Sequence, residues 1–186
     1  MRLYIKYMVS IRCKMVVKEA FKELGLHYVT VNLGEVNVLE EITPKQRDKL
    51  RVILLRSKLE LIDDKRAILI ESIKNVIIEM VHYADDLPKT NFSDYLSKKL
   101  DYNYTYLANI FSETQGTTIE HFIIMHKIER VKELIIYDEL NLSEIAYKLH
   151  YSSVSHLSHQ FKKITGLTPT YFKTLKNKKL NLLENL

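Results

Sequence analysis

A chain of 186 residues has room for one domain or two small ones. A hydrophobic content of 46%, with only four Gly and three Pro, points to a folded, mainly helical protein and excludes a disordered one. The single cysteine excludes an internal disulfide, and a net charge of +5 is too small by itself to name a partner.

Arg2, Lys6, Arg12 and Lys14 interrupt every apolar run near the start, so no signal peptide is expected. The richest apolar stretch, Ala67 to Val81, carries Glu71, Lys74, Asn75 and Glu79 and is too short and charged to span a bilayer. A soluble protein in a reducing cytoplasm is therefore expected.

In chain order, Arg2 to Met8 alternates apolar and basic residues over a short run, which predicts a strand. From Ile11 to Leu24 the period becomes helical, with Val16, Val17, Ala20, Phe21 and Leu24 on one side and Gly25 as the stop. Two alternating runs, Tyr28 to Asn32 and Val36 to Glu40, flank a turn at Leu33, Gly34 and Glu35 and predict a hairpin. Thr43 caps a helix that opens with Pro44 and reaches Arg56, burying Leu50, Ile53 and Leu54; a last strand follows at Lys58 to Ile62. The order β-α-β-β-α-β predicts an α+β, split βαβ, ferredoxin-like module over 1–62, with a regulatory or interaction role.

Within that module, Met8-Val9-Ser10-Ile11-Arg12-Cys13, followed by Val17, Ala20 and Phe21, resembles the entry loop and first helix of the heavy-metal-associated domain. That family holds a soft metal with two cysteines in an M-x-C-x-x-C loop. Here Ser10 stands at the first cysteine position, and Cys13 alone is short of the donor number a closed zinc or copper(I) site needs. Cys13 reads better as a small, partly buried hydrophobe. No metal or other cofactor is expected.

Asp63 to Tyr83 reads as one long helix with Ile68, Leu69, Ile73, Val76, Ile77, Met80 and Val81 on a wide apolar face. It lies in a connector over 63–90 and either packs as core or serves as a connecting helix that passes a signal or pairs with a second copy. Asp85 to Lys89, with Pro88, predict a break.

Asn141 to Phe172 reads as a helix-turn-helix. The first helix, Leu142 to His150, has Asn141 or Ser143 to cap it, Glu144 in its first turn, and Ile145, Ala146 and Leu149 facing inward. After a turn at His150, Tyr151 and Ser152, a second helix from Ser153 to Thr165 buries Leu157, Phe161 and Ile164 and ends at Gly166. Its outward side chains include Ser155, His156, Ser158, His159 and Lys163. From Ile145 to Leu183 there are seven lysines, at 148, 162, 163, 173, 176, 178 and 179, and no acid, a one-sided field suited to a polyanion.

A fifty-residue offset superposes Asn91 to Phe122 on this stretch with identities at Asn91, Ser93, Lys98, Leu107, Phe111, Gly116, Thr118 and Phe122. The shared L-x-x-x-F-x-x-x-x-G-x-T-x-x-x-F pattern predicts two helix-turn-helix units. A linker helix from Thr118 to Tyr137 packs both through Ile119, Phe122, Ile123, His126, Val131, Leu134 and Ile135.

The segment from Phe92 to Leu175 resembles the DNA-binding domain of the AraC/XylS transcriptional regulators. The residues that carry the resemblance are L-S-E-I-A at Leu142 to Ala146, S-H-L-S-H-Q-F-K-K at Ser155 to Lys163, T-G-L-T-P-T-Y-F at Thr165 to Phe172 and K-I-E-R-V-K-E-L-I at Lys127 to Ile135. The resemblance implies seven helices in a domain over 91–176, followed by a basic tail over 177–186. It also implies two recognition helices that enter successive major grooves of DNA. The family's turn glycine is absent: His150 precedes Tyr151 and Asp101 precedes Tyr102, and His and Asp tolerate positive φ better than most residues.

On this reading Ser153, Ser155, His156 and His159 reach bases and backbone, with Lys162 and Lys163 on phosphates. The first recognition helix, Tyr104 to Thr114, has no Arg or Lys, so Thr105, Tyr106 and Asn109 form a weaker contact. The sequence has no Ser/His/Asp constellation, Gly-rich phosphate loop or H-E-x-x-H, and no enzyme is expected. The expected partners are double-stranded DNA, RNA polymerase and a second copy through the N-terminal module or the 63–83 helix, with no membrane. Competing readings are a metal- or thiol-sensing chaperone acting through Cys13 and a non-specific DNA binder.

Overall fold

The structure, a computed structural model, describes residues 1–84, 91–137 and 140–175. The break expected at Asp85 to Lys89 and the basic tail over 177–186 lie outside the described residues.

The N-terminal elements are β1 (Arg2–Lys6), α1 (Ile11–Glu23), β2 (Tyr28–Asn32), β3 (Glu35–Val38), α2 (Pro44–Arg56) and β4 (Glu60–Ile62). They build a small antiparallel sheet in the order β2-β3-β1-β4. The alternation of β1 sends Leu3 and Ile5 into a core shared with Val36 and Val38 of β3, Val17, Ala20 and Phe21 of α1, and Leu50 and Leu54 of α2. Thr43 and Gln46 close a reciprocal cap on α2, with Pro44 at the first helical position, which fixes where that helix begins.

Several boundaries differ from the pattern in the sequence. The second hairpin strand runs Glu35–Val38, not Val36 to Glu40, because the Glu40 carboxylate turns back to accept the His27 backbone N–H at 2.8 Å. The last strand begins at Glu60, since Lys58 adopts φ 58° and turns the chain after α2. The long helix expected from Asp63 to Tyr83 is α3 (Lys65–Ile78), capped by Asp64, and is followed by a π-helical turn over Glu79–Tyr83. The wider turn changes the phase of the side chains that follow. Buried residues are Ile70, Ile73, Ile77, Ile78, Met80 and Val81, while Ile68, Leu69 and Val76 of the expected stripe are only half-buried.

Two polar side chains of α3 are also buried. Glu71 pairs with Lys74 at 2.9 Å and accepts the Tyr7 N–H at 3.4 Å, where φ of 69° ends β1. Asn75 stands over Gly34, and a Cβ there would fall 1.8 Å from its amide nitrogen, so the hairpin turn requires glycine. Cys13 is half-buried with its Sγ 3.4 Å from Ser10 Oγ. Burial pushes its thiol up, but the Ser10 hydroxyl and nearby backbone hydrogen bonds outweigh this and leave it below its ordinary range.

The helical remainder comprises α4 (Phe92–Leu100), α5 (Tyr104–Gln115), α6 (Ile119–Tyr137), α7 (Leu142–Lys148) and α8 (Val154–Thr165), with a further helical segment over 169–175. Packing groups the chain into two compact units: Met1–Glu79 with Ser93–Gly116, and Met80–Phe92 with the chain from Thr117 onward. Among the described residues, no helix is long and apolar enough to cross a membrane.

Candidate nucleic-acid interface

The second helix-turn-helix is built from its caps inward. Asn141 Oδ1 accepts the N–H groups of Ser143 and Glu144 at 2.9 and 3.0 Å, and Glu144 Oε2 accepts the Asn141 N–H at 2.7 Å. This capping box starts α7 at Leu142. The helix ends at Leu149, and His150 takes φ 52°, the left-handed conformation its place in the turn demands. Ser153 then caps α8, its Oγ accepting the His156 N–H at 3.0 Å.

Inward-facing residues join Ile145, Ala146 and Leu149 of α7 and Leu157 and Phe161 of α8 to Ile128, Val131, Leu134 and Ile135 of α6. Phe172 closes this core edge-on to Phe161, with ring centroids 5.6 Å apart. Lys127, a residue of α6 only 7% exposed, reaches through the apolar layer to donate to the Leu149 carbonyl at 2.7 Å. Burial lowers its pKa to about 8. Its ammonium also lies 4.8 Å from the Phe92 ring centre and 5.2 Å from that of Tyr151. Tyr151, pushed up to about 12 by burial, donates to Gln160 Oε1 at 2.7 Å.

On the outer face of α8, Ser155, His156, His159, Lys162 and Lys163 are all exposed and recur at three- and four-residue intervals. His156 Nδ1 lies 3.0 Å from Ser152 Oγ and its ring meets Tyr151 edge-on, which fixes its direction. Ser153 is exposed, but its hydroxyl is committed to the cap. The face therefore presents two imidazoles, a serine and two ammonium groups on a helix held rigidly from behind.

The first unit repeats the plan with a change in its turn. Asn103 caps α5 through the Thr105 N–H at 2.8 Å, Asp101 adopts φ 59°, and Gly116 ends the helix at φ 66°. Two residues separate the left-handed turn position from the first residue of α5 (Asp101 and Tyr104), and three separate the equivalents in the second unit (His150 and Val154). The fifty-residue offset thus slips by one in the turn and recovers in the helix.

Thr105, Tyr106 and Asn109 are exposed, and Tyr106 stacks on Tyr102 with centroids 5.5 Å apart. Tyr106 and Asn109 share a cleft of about 580 Å³ with Lys65, Arg66 and Leu69 of α3. At its rim Arg66 Nη2 pairs with Glu113 Oε2 at 2.8 Å and Arg66 Nε donates to Thr114 Oγ1 at 3.2 Å.

Three features are not expected from the sequence: the contact of Arg66 with α5, the burial of Lys127, and the meeting of His82 with His126. His82 Nε2 lies 3.1 Å from His126 Nδ1, while His82 Nδ1 is 3.5 Å from Glu133, itself bonded to Arg130 at 2.9 Å. Burial, followed by the neighbouring His82, lowers His126 to about 4; burial also lowers His82, against the pull of Glu133. The spacing of Lys127 between Ile123 and Val131 on the apolar stripe of α6 was a usable signal, since a lysine placed inward must find an acceptor. Neither Arg66 nor His82 has a local signal, because their partners are 47 and 44 residues away. Among the described residues, no group of three or more His, Cys, Asp or Glu side chains is arranged to hold a metal ion.

Residues 96–174 match the family described as a helix-turn-helix domain. YtdP of Bacillus subtilis, an uncharacterized HTH-type transcriptional regulator, is 26% identical over 106 residues, covering 57% of this chain and 14% of that protein. An uncharacterized HTH-type transcriptional regulator of Staphylococcus aureus is 27% identical over 93 residues, covering 50% of this chain and 12% of its own length. The chain thus spans a small fraction of the length of these relatives.

Three solved structures share the fold. The C-terminal domain of AraT, a response regulator from Geobacillus stearothermophilus, aligns with TM-score 0.50 at 21% identity over 60% of this chain and 88% of that one. A DNA-binding transcriptional dual regulator from Escherichia coli K-12 aligns with TM-score 0.51 at 17% identity, over 59% of this chain and 93% of that one. ToxT from Vibrio cholerae aligns with TM-score 0.51 at 18% identity, over 89% of this chain and 68% of that one.

Proposed function

We propose, from the match of residues 96–174 to a helix-turn-helix domain and the resemblance of Phe92 to Leu175 to the AraC/XylS regulators, that this protein is a sequence-specific, DNA-binding transcriptional regulator and not an enzyme. One observation carries the reading: the exposed face of α8 bears His156, His159, Lys162 and Lys163 with no acid, on a helix whose opposite side is fully packed. Such a face presents hydrogen-bonding groups for base edges and cations for phosphates. Ser155, His156 and His159 read bases, Lys162 and Lys163 grip the backbone, and Ser153 orients the helix that carries them. Thr105, Tyr106 and Asn109 of α5 make the second contact, in a further major groove.

In this reading the α+β module over 1–62 is ferredoxin-like, and 63–90 connects it to the DNA-binding part. That module supplies regulatory or pairing contacts with a second copy or with RNA polymerase, and the protein works in the cytoplasm. Sedimentation of the full chain tests the self-association.

Selection of bound sites from random duplex DNA tests the function. The expected result is an enriched motif with two short conserved blocks about one helical turn apart. Recovery of random sequence at undiminished affinity would instead make it a non-specific binder.

A further inference from the structure

The repeat sets up a comparison that the packing of α3 completes. By the fifty-residue offset, Lys162 and Lys163 of α8 correspond to Ser112 and Glu113 of α5, so the first unit has a serine and an acid at its rim in place of two cations. An unopposed carboxylate there would repel a phosphate backbone. In the structure it is opposed: Arg66 of α3 pairs with Glu113 at 2.8 Å and donates to Thr114 at 3.2 Å, with the exposed Lys65 beside it on the same cleft.

This pair is poorly suited to a stability role. The side chains of Arg66 and Glu113 are 51% and 67% exposed, and exposed ion pairs contribute little to folding. A guanidinium has five N–H donors in a planar fork, more than two protein acceptors consume, and its geometry matches phosphate oxygens.

We infer that Lys65 and Arg66 of α3 are phosphate-binding residues of the first helix-turn-helix, replacing from another helix the lysine pair that α5 lacks, with Glu113 and Thr114 orienting Arg66. The inference rests on the reading of this protein as a DNA-binding regulator. Its first recognition helix then lies in a cationic setting despite its own lack of charge.

The test measures affinity of the full chain for a labelled duplex carrying the selected site, from 50 to 300 mM KCl. The slope of log affinity against log salt falls by about 0.9 for each phosphate that the protein no longer neutralises. K65Q/R66Q is expected to lose about 1 to 2 units of slope with unchanged base preference, and R66K to keep the wild-type slope. If the double variant does not fold, K65Q decides alone, with an expected loss of about 0.9, because Lys65 is an exposed side chain.

An unchanged slope in K65Q/R66Q, or in K65Q where that variant decides, would reduce the pair to a surface contact and overturn the inference. A rise in affinity would overturn it too, making α3 a shield over α5. K163Q is the control. If it lowers the slope while the α3 variants do not, only this inference fails; if wild type does not bind DNA, the DNA-binding reading fails and this one with it.

Discussion

The ammonium of Lys127 donates to the carbonyl oxygen of Leu149 at 2.7 Å, and Leu149 is the residue on which α7 ends. A cation at a helix C-terminus satisfies an acceptor the helix cannot, and here it also anchors the turn that aims α8. Replacing Lys127 by Met keeps the apolar stem but leaves a buried carbonyl without its donor. A loss of about 1 to 3 kcal/mol is expected in urea unfolding.

The same lysine gives stability an alkaline dependence. Its folded pKa of about 8 lies below the ordinary 10.5, so from pH 8 to 10 the unfolded chain holds a proton that the folded one has released. Stability therefore rises with pH across that window. Above pH 10 Tyr151 works in the opposite sense, because its folded pKa of about 12 exceeds the ordinary 10. Urea midpoints at pH 8, 9 and 10 should climb more steeply in wild type than in Lys127→Met; a parallel climb in both would refute the assignment.

In acid the histidine pair works against the folded state. His126 holds a folded pKa of about 4 against 6.5, and His82 is shifted in the same direction, so the unfolded chain takes up protons first as pH falls from 6.5 toward 4. Stability present above pH 6.5 is lost across that interval. His126→Gln, which can still hydrogen-bond to His82, should lose less between pH 7 and pH 5 than wild type does.

Asp101 and His150 occupy the left-handed region at φ 59° and 52°. Non-glycine residues there cost about 1 to 2 kcal/mol, and glycine returns part of that gain through backbone entropy. Asp101→Gly and His150→Gly should each raise stability by up to about 1 kcal/mol in thermal unfolding. A fall would mean that the side chain itself contributes to the turn.

On DNA, two exposed residues of α8 should behave differently. His159→Ala is expected to cost about 1 to 3 kcal/mol at one base position and to relax preference there. Lys163→Ala should weaken specific and random duplexes alike and lower the salt slope by about 1. Equal losses on both duplexes for His159→Ala would remove it from base reading.

What the sequence determined by itself was local or periodic. The L-x-x-x-F-x-x-x-x-G-x-T-x-x-x-F repeat marked both helix-turn-helix units, Asn141 or Ser143 with an acid in the first turn marked the start of α7, and Thr43 with Pro44 marked the start of α2. These signals survive because caps and turns bind backbone groups within a few residues, and a buried helix face repeats with the helix period.

Tertiary structure decided what depends on distant partners. The phase change at Glu79–Tyr83, the burial of Lys127, the His82–His126 contact and the arrival of Arg66 at Glu113 follow from which surfaces are packed together, which no local spacing encodes. The helix α5 carries no Arg or Lys of its own. Its electrostatic setting was fixed elsewhere, because charges act through space and α3 brings two of them to its rim.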